Sequence, residues 1–84
     1  MKIGQVVFSK CGRDKGRSFV VMMIEDEYVF LADGQLRPLN KLKKKKTRHT
    51  QPTNTVLDLA SATGGLKDAD IVKWLATFNR QDLL

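Results

Sequence analysis

The chain has 84 residues, with 15 Lys plus Arg against 9 Asp plus Glu, for a formal net charge of +6. A chain this short forms one domain at most and buries only roughly 60 to 65% of the surface its unfolded form exposes, which excludes a large multi-domain enzyme with a deep cavity. Its 42% hydrophobic and 29% charged residues fit a small core beneath a heavily solvated surface and argue against wholesale disorder.

The first half alternates short β-type segments with turn signals. Gln5 to Ser9 carries Val6, Val7 and Phe8 and reads as a strand; Lys10 to Gly16, with Gly12 and Gly16, reads as a loop; Ser18 to Glu25 is again apolar. Glu25-Asp26-Glu27 is a turn, Tyr28 to Leu31 the next strand, and Ala32-Asp33-Gly34 a turn in which glycine supplies the positive φ. Leu36 to Leu39 is expected to be a short edge strand, since Pro38 has no N–H to give a neighbour. Short, closely spaced strands predict a mainly β domain built as a small barrel. Thr47 to Thr55 is polar, and Gln51-Pro52-Thr53-Asn54 reads as the end of that module. After Gly64-Gly65 the period changes: Ile71, Trp74, Leu75 and Phe78 share one face of a helix from about Asp68 to Asn79. The expected organisation is a barrel over 1–51, a connecting segment over 52–67 and a helix over 68–80 packed on the barrel, in a single domain.

Within the strands, Phe8, Phe19, Tyr28 and Phe30 are expected in the core rather than as base-stacking platforms, and Met22 and Met23 as ordinary strand residues. Trp74, Leu75 and Phe78 are expected to fasten the helix to the barrel, with a protein-docking stripe as the other reading. The longest apolar stretch, Phe19 to Ile24, is six residues and cannot span a bilayer. Met1 to Gln5 has no sustained apolar run of the signal-peptide kind, and the single Cys11 cannot form an intrachain disulfide, so a cytoplasmic location is expected.

Groups for chemistry are scarce. His49 is the sole histidine and Cys11 the sole thiol, and no carboxylate pair sits in a recognisable motif, so neither catalysis nor a metal or other cofactor is expected. Gly12-Arg13-Asp14-Lys15-Gly16-Arg17-Ser18 resembles a nucleotide-binding P-loop. It is one residue short between the glycines, has Arg17 where the lysine belongs, and leads into a strand instead of a helix.

Charge is the informative feature. Residues 1–50 carry 12 basic and 5 acidic side chains, whereas 51–84 carry 3 and 4, so a polyanion must dock on the first part. Arg37 to Arg48 holds seven bases (Arg37, Lys41, Lys43, Lys44, Lys45, Lys46 and Arg48) and no acid. Lys10, Arg13, Lys15 and Arg17 form a smaller cluster with only Asp14 as counter-charge. Long cationic side chains on a rim, beside glycines that let backbone N–H groups approach, suit phosphate contacts. The candidate RNA-binding residues are both clusters, Gly12 and Gly16, and His49 beside Arg48. In Lys43 to Lys46, alternate side chains would project to opposite sides of an extended segment.

The segment Gly4-Gln5-Val6-Val7-Phe8, then Gly12-Arg13-Asp14-Lys15-Gly16-Arg17, then Val20-Val21 resembles the KOW motif of ribosomal proteins and transcription elongation factors. Many members carry another glycine where this chain has Phe19. That departure points toward a subgroup similar to the fourteen-e family of large-subunit ribosomal proteins and its bacterial KOW-containing relatives. The resemblance covers about residues 3–50, including the Val29 to Gly34 strand and turn. It implies a KOW-type SH3-like barrel that binds structured, above all ribosomal, RNA, with ribosomal proteins as further partners, and has no enzymatic activity, membrane or small-molecule substrate. The alternatives are a protein-binding adaptor in transcription or translation, using the barrel or the helix face, and non-specific DNA binding.

Overall fold

The computed structural model describes residues 1–81. It contains β1 (Gln5–Ser9), β2 (Ser18–Glu25), β3 (Tyr28–Ala32), β4 (Lys43–Lys46), β5 (Thr50–Val56) and a helix, α1 (Asp68–Gln81). All pairings are antiparallel, in the order β4-β3-β2-β1-β5. A single 3-10 turn, Thr47–His49, carries the chain from β4 to β5, so the last strand pairs with the first. The domain is mainly β, a five-stranded antiparallel sheet forming a small barrel-like unit with one C-terminal helix.

The apolar runs in β1 and the first half of β2 are continuous because both faces of the chain are covered there, whereas Met23 and Ile24 at the end of β2 are exposed. Val7, Phe19, Val21, Val29 and Leu31 point to the barrel interior and form one buried cluster. Val6 and Val20, on the opposite face, pack with Ile71, Leu75 and Phe78 of α1 in a second, which Trp74 and Phe8 join half-buried. Phe8 meets Phe78 with ring centroids 5.8 Å apart. The helix stripe at i, i+4 and i+7 is therefore its attachment to the sheet. Asp70 accepts a hydrogen bond at 2.9 Å from the Lys67 amide, closing the first helical turn where the helix dipole favours a carboxylate. No helix among the described residues is long and apolar enough to cross a membrane.

Two segments differ from the sequence-based expectation. Leu36 to Leu39 forms no strand: Asp33 Oδ1 accepts from the amides of Gln35 and Arg37, while the Asp33 and Gly34 amides donate to the Arg37 carbonyl, closing a compact loop instead. The Leu39 amide is taken by Asp68 Oδ1 at 2.7 Å, which fastens this loop to the start of α1. Conversely, the polar stretch after the 3-10 turn is strand β5, which runs across position 51, where the expected barrel ended, to Val56. Pro52 is tolerated there because β5 has β1 on one side and no strand on the other.

Gly34 lies where the loop meets α1, at φ +81°, and an added Cβ would stand 2.5 Å from the Asp68 carbonyl oxygen and 2.8 Å from Val72 Cγ2. Gly34→Ala should therefore destabilise the fold by about 1–3 kcal/mol, through overpacking and left-handed backbone strain together. Chemical denaturation will show it as a lowered midpoint, whereas Gly16→Ala, with φ +88° but no neighbour within 4 Å, should cost less.

Candidate nucleic-acid interface

The loop between β1 and β2 is built on its glycines. Gly12 and Gly16 have φ of +91° and +88°, and the Gly16 amide donates to the Ser9 carbonyl. Arg13, Lys15 and Arg17 are left exposed on this loop. Lys10, exposed at its start, ties it to the 3-10 turn by donating its amide to the His49 carbonyl at 2.8 Å.

Asp14, the one acid of the loop, is its anchor. Its Oδ1 accepts from the Ser9 hydroxyl at 2.7 Å and from Lys45 Nζ at 3.0 Å, and Lys45 also donates to the Cys11 carbonyl at 2.9 Å. The Lys45 side chain is only 9% exposed and that of Asp14 18%. Burial alone would raise the Asp14 pKa. The hydrogen bonds from Ser9 and Lys45, with the attraction of Lys45 and Lys43, outweigh it and hold the carboxyl below its ordinary value. The loop is thus clasped to β4.

The register explains which lysines take part. Lys43 and Lys45 stand opposite Leu31 and Val29 and share their face; Lys44 and Lys46 stand opposite Phe30 and Tyr28 on the other. A run of four identical charges is thereby divided in two. Lys44 Nζ lies 4.4 Å from the Tyr28 ring centroid and 5.8 Å from that of Phe30. These rings are half-buried on the outward side, which corrects their expected place in the core; Phe19 is buried as expected.

The clasp brings part of each basic cluster to one place. Arg13 and Arg17 of the loop, Arg37 of the 33–37 loop, and Lys43 and Lys45 of β4 line a single open cleft of about 420 Å³ beside Gly12. Its two carboxylates, Asp14 and Asp33, are both engaged, Asp33 by two backbone amides and by Arg17 at 3.8 Å. Five cations against two carboxylates, which are paired with Lys45 and Arg17, leave the cleft with an excess of three positive charges. Lys10, Lys15, Gly16, Lys41, Lys44, Lys46, Arg48 and His49, also expected at the interface, are not among the residues lining it; Lys44 and Lys46 stand on the other face of β4, Lys41 and Arg48 are exposed, and His49 is half-buried in the 3-10 turn. Among the described residues no group of three His, Cys, Asp or Glu side chains is placed to hold a metal ion.

Sequence reasoning missed the positional roles of Ser9 and Asp33, and counted Asp14 only as a counter-charge. A lone acid in a basic loop, facing a strand of lysines, was the available signal. Compared with known proteins, the chain matches no family model, and no curated protein matches it significantly.

The clasp predicts an acid signature. A carboxyl whose pKa is lowered by folding stabilises the native state fully above its unfolded value, about 4, and loses that contribution as the pH falls through the lower folded value. Asp14→Asn should cost about 1–3 kcal/mol at pH 6, since it weakens hydrogen bonds to a charged group and leaves Lys45 without its counter-charge. The gap between variant and wild type in urea unfolding should narrow as the pH falls below about 4.

Proposed function

We propose that this protein binds structured RNA through the cleft between the β1–β2 loop and β4, as a KOW-type barrel does. The observation that carries the reading is the convergence of Arg13, Arg17, Arg37 and Lys43 on one cleft. Positive side chains held by a sheet and a clasped loop meet phosphates with little ordering cost, and the glycine at the cleft lets the backbone come close. Lys45 acts indirectly: it positions the loop, and its ammonium is engaged by Asp14. Such contacts give affinity and orientation without reading bases, and the surrounding Lys10, Lys15, Lys41 and Arg48 add long-range attraction.

Ribosomal RNA is the target class that the resemblance to the KOW proteins favours, and a cytoplasmic, ribosome-associated role follows from it. The helix-docking form of the adaptor reading finds less support, because Ile71, Leu75 and Phe78 are buried against the sheet.

Affinity for a structured RNA should fall with salt along a log–log slope of roughly −3 to −7, corresponding to four to eight phosphates. Arg13→Glu combined with Lys43→Glu should weaken binding by at least about 10-fold at 0.1 M salt and flatten that slope, both measurable by fluorescence anisotropy. An adaptor would show little change in its function with the same variant. In sucrose gradients of lysate, the protein should travel with the large ribosomal subunit or its precursors at low salt and be released at high salt; migration only at the top of the gradient would remove the ribosomal target.

A further inference from the structure

We infer that the outward face of β3 and β4 is a second nucleic-acid surface, on which two unpaired bases stack on Tyr28 and Phe30 while Lys44 and Lys46 hold the adjoining phosphates. The inference rests on the RNA-binding reading above but uses different residues, on the opposite face of β4.

Four observations place it there. First, α1 covers only part of the outer sheet face: Val6 and Val20 lie in the cluster with Ile71, Leu75 and Phe78, whereas Tyr28 and Phe30 are not part of it. Second, cross-strand register sets the two rings beside two cations, Tyr28 opposite Lys46 and Phe30 opposite Lys44. Third, both rings are only half-buried, and the Lys44 ammonium lies over them, 4.4 Å and 5.8 Å from their centroids, in a cation–π contact that a base can replace. Fourth, Met23, 43% exposed and opposite Phe30, extends the apolar floor.

The spacing selects the ligand. Residues two apart on a strand lie roughly 6.6 Å apart, about twice the 3.4 Å rise per nucleotide of a stacked duplex strand. The two rings therefore suit bases pulled out of a stack, as in a loop, bulge or single strand, and not a paired helix. An arriving base displaces the Lys44 ammonium from the ring to a phosphate, so the cation is kept in play. Glu25 stands opposite Tyr28 beside Asp26 and Glu27, and this acidic turn repels the strand from the β2–β3 end, directing it along β3 and β4. A structured RNA could then be gripped by its phosphates in the cleft while an unpaired segment crosses this face.

The test compares binding of hexauridylate and of a 16-base-pair RNA duplex to the wild-type protein and to Tyr28→Leu/Phe30→Leu, which keeps apolar bulk. The variant should lose about 10-fold or more on hexauridylate and bind the duplex as the wild type does. Unchanged binding of both RNAs by the variant, an equal loss on both, or a wild type that binds duplex but not hexauridylate would each overturn this inference and leave the RNA-binding reading standing. A wild type that binds neither RNA would overturn both. Should the variant fold poorly, proton NMR of the wild type decides: upfield shifts of the Tyr28 and Phe30 ring signals with hexauridylate are expected, and their absence at saturation contradicts the stacking.

Discussion

One part-buried ion pair joins part of each basic segment of this protein into a single surface. Asp14 sits in the β1–β2 loop and Lys45 in β4, 31 positions apart, and their contact at 3.0 Å, shared with the Ser9 hydroxyl, fixes where the loop lies against the sheet. Without it, the loop with Arg13, Lys15 and Arg17 would keep its backbone hydrogen bonds but lose its side-chain tie to β4, and fixing it against the sheet would cost conformational entropy. With it, the arginines are held beside Lys43 and Arg37 before any ligand arrives. One cation and one anion are withdrawn from the surface, and the geometry of the remaining charges is set in return.

The four lysines of β4 illustrate how strand geometry converts a charge run into distinct roles. Alternation sends Lys43 and Lys45 to one side and Lys44 and Lys46 to the other, so the four lysines do not act as one charged patch. Their place at a sheet edge has a further consequence. Lysines on β4 and Pro52 on β5 guard the two end strands against pairing with another chain, while Lys44 finds compensation on the Tyr28 and Phe30 rings.

Much of the fold was legible because apolar spacing carries it. Val6 to Phe8, Phe19 to Ile24 and Tyr28 to Leu31 announced β1 to β3, and Ile71, Leu75 and Phe78 announced α1. β5 was not legible, since a threonine- and proline-bearing strand held by pairing with β1 has no apolar period to read. The loop at Leu36 to Leu39 misled for the opposite reason: its apolar residues suggested a strand, but Asp33 claims the amides that a ladder would need. At the candidate site, residue type pointed to the basic clusters, but sidedness required register. Tyr28-Val29-Phe30-Leu31 is apolar at every position, so nothing in the sequence revealed that Val29 and Leu31 face inward while Tyr28 and Phe30 face out.

The central claim is that the loop and β4 form one interface because Asp14 joins them. It is tested most directly by following backbone amide signals as a duplex RNA is titrated into the wild-type protein and into Asp14→Asn. In the wild type, the amides of 12–17, Arg37 and 43–46 should shift together with a single midpoint. In the variant the 12–17 signals should separate from the β4 signals and saturate later. Shifts confined to one of the two segments, or falling instead on the exposed side of α1, would contradict the account.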